Sequence, residues 1–219
     1  MDERATGMVL RVRLLTETSL IVHWLTEEAG RVATVARGAR RPRSPLRGKL
    51  DLFHEGDFVF RRSRRSDLHT LGEFVLRETH PGLRTDWRRL AQASYAVNLI
   101  EQTTEADTPL PEAWDLFRDF VSHVERAAPG VASVLALELK WLEVLGLAPD
   151  LEEVSFGGRT REVARALRAA DWEGVAGLEA GVEKAGWTPL IRFLHGFLIH
   201  HLGRLPRGRG DVLALLSAG

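Results

Sequence analysis

The 219-residue sequence has no cysteine. That excludes disulfides, thiolate metal sites and a cysteine nucleophile, and it suits a reducing compartment. Long apolar runs are also missing. Nothing approaches the roughly 18 uninterrupted apolar residues of a membrane span. The opening MDERATGMVL is acidic and polar where a leader would be basic and then apolar. The expectation is a soluble, cytoplasmic protein with no membrane partner. Lysine is scarce, limited to Lys49, Lys140 and Lys184, so every other basic side chain is arginine. Because that bias runs along the whole chain, arginine content alone does not signal phosphate recognition. The familiar chemical motifs are missing too: no GxGxxG in a strand–helix setting, no GxxxxGK[ST], no GxSxG and no HExxH. The eight histidines do not fall at ligand spacing; His200 and His201 are adjacent and face different sides of a helix. No catalytic residue, no cofactor and no metal site is expected, and the chain reads as a non-enzymatic binding protein.

Net charge is absent as well, with 30 basic and 30 acidic residues, but that zero hides an asymmetry. Residues 1–80 hold 15 basic and 11 acidic side chains, and residues 81–219 hold 15 and 19. Within 31–65 the count is 11 against 3. The stretch ARGARRPRSPLRGKLDLF (36–53) concentrates Arg37, Arg40, Arg41, Arg43, Arg47 and Lys49 around Pro42 and Pro45, which exclude a helix. A concentrated positive field attracts polyanions, and arginine forks bind phosphate bidentately with release of counterions. These six residues are the principal candidates for contact with a nucleic acid. Arg61, Arg62, Arg64 and Arg65 in RRSRRSD form a second group, for which a charged turn that blocks strand pairing is an equal reading. Arg11 and Arg13, alternating outward from the first strand, complete the set. Asp51, Glu55 and Asp57 would be the carboxylates of a metal-dependent nuclease, but turn chemistry explains Glu55 and Asp57.

Apolar alternation predicts five strands: Thr6–Leu15 (with Met8, Leu10, Val12 and Leu14 on one face), Ser19–Thr26, Arg31–Gly38, Gly56–Arg62 and His69–Glu78. Five short antiparallel strands suggest a small barrel, with the oligonucleotide/oligosaccharide-binding (OB) fold leading and an SH3-like barrel as the alternative. Trp24, Phe53, Phe58, Phe60 and Phe74 are candidate base-stacking platforms, although Phe58 and Phe60 share a face and the barrel interior is the commoner place for such rings. After THPGLRTD the period becomes helical. Helices are expected from an Asp86 cap to about Gln102, from Pro111, from about Pro129 to Leu145 with Gly146 beyond, over TREVARALRAADW, from Thr188 to Gly203, and over GDVLALLSAG. The architecture is therefore α+β: an N-terminal five-stranded barrel domain (1–80) followed by an all-helical C-terminal domain (81–219).

Several segments resemble the RecO family of bacterial recombination mediators: ETSLI in the second strand, TEEAG before the third, ARGARRPRSPLRGKLDLF after it, and then LFRDFVSHVE, ELKWLEVLGLAPDL and HHLGRLPRGRGDVLALL. The resemblance implies an OB-fold N-terminal domain, a helical C-terminal domain and a role in DNA repair and recombination in the RecF pathway. It implies binding of single- and double-stranded DNA, annealing of complementary strands, cooperation with RecR, and loading of RecA onto DNA coated by single-stranded DNA-binding protein (SSB). It also implies recognition of the acidic, apolar SSB tail, for which Lys140 and Arg192, beside Trp141 and Phe193, are the candidates here. Many family members carry a four-cysteine zinc motif after the LGLAPDL region; EEVSFGGRTRE has no cysteine, so zinc is not carried over. The alternative reading is a protein-binding adaptor whose basic barrel surface meets an acidic partner.

Overall fold

The computed structural model describes residues 2–154 and 157–218. The chain divides into two compact units, Met1–His80 with Thr104–Asp115, and Pro81–Thr103 with Leu116–Gly219.

Strands β1 (Asp2–Leu14), β2 (Leu20–Thr26), β3 (Gly30–Ala36), β4 (Glu55–Arg61) and β5 (Leu68–Glu78) close a barrel in the order β1-β2-β3-β5-β4. All pairings are antiparallel except β3 with β5, where Ala33–Val35 run parallel to Leu68–Thr70. This is the OB-fold arrangement, and it removes the SH3-like alternative. The interior is aromatic. Trp24 stacks on Phe58 at 4.3 Å between ring centroids, and Phe74 lies 5.2 Å from Trp24. The Trp24 indole donates to Thr34 Oγ1 at 2.8 Å, so its one polar group is satisfied inside the core. Val9, Val22, Val32, Phe60 and Leu71 fill the remainder.

One strand departs from simple alternation. Register slips between Val9 and Arg11, opposite Trp24 and His23, so Leu10 is an inserted residue. Ala5 and Val9 face the interior before the slip and Val12 after it, whereas Met8 and Leu10 are buried outside the interior cluster. Leu14, expected on the apolar face, follows Val12 on the same side but is the last residue of the strand and is 68% exposed. A one-residue insertion exchanges the two faces of a strand.

The second unit holds α1 (Trp87–Thr103), most of α2 (Pro111–Arg126), α3 (Val131–Val144), α4 (Gly158–Ala169), α5 (Trp172–Gly181), α6 (Thr188–Leu202) and α7 (Arg209–Ala218). Asp86 caps α1 by accepting from Arg88 N–H at 2.9 Å. The core is built around α3, of which only Lys140, Glu143 and Val144 escape full burial. Its C-terminus is a Schellman motif: Leu147 N–H bonds Leu142 O at 2.7 Å and Gly146 N–H bonds Glu143 O at 2.9 Å. Gly146 takes φ 70°, which any side chain would strain. Helix α5 was not expected from the sequence. Asp171 caps it by accepting from Gly174 N–H at 2.8 Å, and its Glu179 accepts from Ala132 N–H, capping α3 in turn. Inside the core Glu138 receives Arg209 through two bonds of 2.7 and 2.8 Å, and Tyr95 donates to the same carboxylate. The aligned guanidinium fork is what makes a fully buried carboxylate tolerable there.

Candidate nucleic-acid interface

The arginine-rich segment leaves β3 at Ala36 and reaches β4 at Glu55 through consecutive turns, with no helix or strand. Two prolines deny it backbone donors, and short bonds such as Arg41 N–H to Gly38 O (3.0 Å), Ser44 N–H to Arg41 O (3.0 Å) and Lys49 N–H to Leu46 O (3.1 Å) fold it back on itself. Gly38 allows the first reversal at φ 65°. The segment is pinned rather than free. Ala39, Leu46 and Leu50 belong to the barrel's interior cluster. At its start, Arg40 N–H bonds Thr18 O at 3.0 Å and Gly38 N–H bonds Ser19 Oγ at 3.2 Å, tying it to the β1–β2 turn. At its end, Phe53 N–H bonds Val9 O and Val9 N–H bonds His54 O, both at 2.9 Å. These two bonds and the buried ring hold Phe53 at φ 63°, a conformation a non-glycine residue adopts only when its surroundings impose it.

The predicted cations divide by what they touch. Arg40 donates to Glu17 O at 2.7 Å and Arg47 to Pro42 O at 3.4 Å, so these two brace the loop while keeping their charge. Arg37, Arg41 and Arg43 are exposed and meet no carboxylate among the described residues. Lys49 is half-buried, and its carbonyl accepts from His54 Nδ1 at 2.8 Å. On β1, Arg13 is exposed and Arg11 half-buried. Arg64 and Arg65 are exposed in the β4–β5 turn, where Arg65 N–H bonds Ser63 Oγ at 3.2 Å. Arg61 and Arg62 have different surroundings. Arg61 pairs with Asp2 at 2.9 Å, and Arg62 grips Glu3 through bonds of 2.9 and 3.0 Å and also reaches Asp107. The guanidinium of each holds the facing carboxyl, Asp2 or Glu3, below its usual range. Across the β1–β4 pairing, carboxylates thus neutralise two of the predicted cations.

Asp107 is a residue the sequence reading passed over. It sits in Thr104–Asp115, which groups with the barrel, and its N–H bonds Arg31 O at 2.8 Å beside β3. Arg31 returns a bond from its Nε to Thr104 Oγ1 at 2.7 Å. His69 accepts from Ser63 N–H at Nδ1, so its Nε2 carries the proton and donates to Asp107 at 3.0 Å. A lone Asp in a proline-flanked stretch carries no local signal of such a role.

The proposed stacking rings are not at the surface. Trp24, Phe53, Phe58, Phe60 and Phe74 are all buried, and four of them form the barrel interior. Their faces are covered by one another, which corrects the platform expectation. The three carboxylates considered for a metal site also have other surroundings: Asp57 pairs with Arg77 and accepts from Thr6 Oγ1 at 3.1 Å, Asp51 accepts from Leu52 N–H, and Glu55 is buried 3.8 Å from His80 Nε2. In the helical unit Lys140 donates to Arg168 O at 2.8 Å and Ala170 O at 2.7 Å, capping α4, and burial lowers its pKa. Trp141 is buried beside it, and Arg192 is exposed on α6. Of the segment considered against the zinc motif, Ser155 and Phe156 lie outside the described residues.

The fold defines the class: an OB-fold barrel bearing a pinned arginine loop, followed by a helical domain. Two family descriptions match the chain, recombination protein O N terminal over residues 1–80 and recombination protein O C terminal over residues 84–189. The chain belongs to the RecO family. Among curated relatives, the DNA repair protein RecO of Listeria monocytogenes (serotype 4a, strain HCC23) is 30% identical over 158 residues, covering 72% of this chain and 61% of the relative. That of Bacillus subtilis (strain 168) is 31% identical over 150 residues, covering 68% and 57%. That of Macrococcus caseolyticus (strain JCSC5402) is 30% identical, covering 72% and 62%. The match thus spans about three fifths of the length of these relatives.

Proposed function

We propose that this chain acts in DNA repair and homologous recombination as a non-enzymatic mediator. It binds single- and double-stranded DNA through the arginine loop of its barrel. Family membership supports the process, and one observation carries the site: Arg37, Arg41 and Arg43 stand exposed, without carboxylate partners among the described residues, on a loop anchored by Ala39, Leu46 and Leu50. A pinned cation loses little freedom on meeting a phosphate, so its contact energy is not consumed in ordering the loop. Arg40, Arg47 and Lys49 add to the same field, with Arg11, Arg13, Arg64 and Arg65 as its flanks. With the aromatic rings inside the barrel, recognition rests on phosphate and is steeply salt-dependent. Two phosphate chains held on one positive surface repel each other less, which is the physical basis for annealing. In this reading the protein works with RecR in the cytoplasm to load RecA onto SSB-coated DNA, and Arg192, exposed on α6, is the cation for the SSB tail. No bond-making step is required.

The test is DNA affinity against salt for Arg37→Gln/Arg41→Gln/Arg43→Gln. If all three meet phosphate, the log–log slope for duplex DNA falls by about 2.7, at roughly 0.9 for each phosphate released. An unchanged slope removes the loop from the interface. Loss of RecR binding with DNA binding intact would favour the adaptor reading.

A further inference from the structure

The barrel keeps its rings inside, so the cations of the arginine loop offer a nucleic-acid strand charge but no base contact. Beside that loop stand two leucines that the barrel does not bury. Leu14 is 68% exposed and Leu15 45% exposed. Val75, Trp87 and Ile199 are exposed too, but singly, which is ordinary for a protein surface. Two leucines in succession at the end of a strand, next to cations, form an apolar tip.

Strand register places the tip. Leu14 pairs with Leu20 across β1 and β2, and Leu20 pairs with Ala36 across β2 and β3. Paired residues share one side of a sheet. Here it is the interior side, where Val12 and Val22, the pair two residues further in, also lie. Exposure rises outward along the row: Ala36 is fully buried, Leu20 half-buried and Leu14 open. With neighbouring strands roughly 4.8 Å apart, Leu14 lies about 10 Å from Ala36, which Arg37 follows. The turn beyond Leu14 is held in place. Leu15 N–H bonds Ser19 O at 3.0 Å, and Thr16 Oγ1 accepts from Ser19 N–H at 3.1 Å. The arginine loop grips this same turn, through Gly38 N–H to Ser19 Oγ, Arg40 N–H to Thr18 O, and the Arg40 guanidinium to Glu17 O. Glu17 is the one carboxylate of the turn. The two leucines and the Arg40 guanidinium are therefore carried by one braced turn.

We propose that Leu14 and Leu15 are a base-contacting tip, which lies against unpaired bases of a strand whose phosphates rest on Arg37, Arg40 and Arg41. The proposal rests on the arginine loop being the DNA site. It adds what the loop lacks, a means of favouring a single strand over a duplex. Leucine is among the apolar side chains that proteins set against unstacked bases. A duplex covers its base faces by stacking and meets only the charge, whereas an unpaired base offers an apolar face without the cost of unstacking. Because the turn is already braced, little freedom is lost on contact. The cations around the tip, Arg13 on β1 and Arg37, Arg40 and Arg41 on the loop, favour a polyanion over a protein as its partner.

The test uses the full chain and two fluorescent single strands of equal length, an oligothymidylate and an abasic oligonucleotide. Both carry the same phosphates, and only the first carries bases. Leu14→Gln/Leu15→Gln removes the apolar tip, Leu14→Met/Leu15→Met keeps it, and the loop triple variant Arg37→Gln/Arg41→Gln/Arg43→Gln removes charge; circular dichroism confirms the fold of each. The parent should prefer the oligothymidylate. The Gln pair should bind it at least about fivefold more weakly, as expected for two partly covered leucines, with the abasic strand and the salt slope little changed. The Met pair should stay within about twofold of the parent. The loop triple variant should lower the slope on both strands by about 2.1, at roughly 0.7 for each phosphate. If the Gln pair binds the oligothymidylate as the parent does while the triple variant loses slope, the tip is refuted and the barrel reading stands; loss of RecR binding in that pair would then make the tip a protein contact. If the Gln pair weakens both strands equally, the leucines support the loop rather than meet bases, and the proposal is overturned. If the triple variant keeps the parent's slope, the barrel reading fails and the proposal falls with it.

Discussion

Lowering the pH should destabilise the helical unit through one side chain in particular, His123. It lies on α2, is 6% exposed, hydrogen-bonds Ser133 Oγ through Nε2 at 2.8 Å, and stacks on Trp172 at 5.1 Å. Burial, and then the nearby Arg126, push its pKa down to about 4 from an ordinary 6.5. The unfolded chain therefore takes up a proton that the folded chain refuses between these values. Stability from the neutral ring is fully present above about pH 6.5 and is lost as pH falls, with the loss complete near pH 4. At about 1.36 kcal/mol for each unit, the full effect is about 3 kcal/mol, of which about 2 kcal/mol is lost between roughly pH 7.5 and pH 5. The assay is urea unfolding at those two pH values for the parent and for His123→Gln. The variant starts less stable, since it gives up the stacked ring, but its stability should change by about 2 kcal/mol less over the interval. Other groups titrate alike in both proteins and cancel. An identical loss in parent and variant would refute the assignment.

Further outcomes follow from the ion pairs. Arg209→Met or Glu138→Gln alone should destabilise the chain by about 3–5 kcal/mol, because each leaves a buried polar partner uncompensated; the double variant, read by urea unfolding, should cost less than the sum of the singles. Arg62→Gln should leave the salt dependence of DNA binding unchanged while lowering the melting temperature, since Glu3 and Asp107 already hold that guanidinium; a slope reduced as much as by a loop arginine would place Arg62 in the interface.

Much of the fold was legible in one dimension. The five strands lie within two residues of their alternating patterns at most ends, although β1 starts four residues earlier than its pattern. Asp86, Pro111, Gly146 and Gly203 mark helix ends because caps, first-turn prolines and left-handed glycines act through the adjacent backbone. Helix α5 escaped notice because Gly174, Gly177 and Gly181 break its apolar period, and the slip in β1 escaped because a bulge is specified by the partner strand. The site was legible as charge, not as geometry. Counting finds Arg37 and Arg62 equally basic, yet Arg62 is neutralised by Glu3, 59 residues away, which only the β1–β4 pairing brings alongside. The anchors Leu46 and Leu50 read as incidental apolar residues in a polar loop until the barrel receives them. Local pattern reports what a residue can do through its immediate backbone. Whether an arginine is left for a ligand depends on which distant carboxylates the packed chain sets beside it, and that is a property of pairing and register.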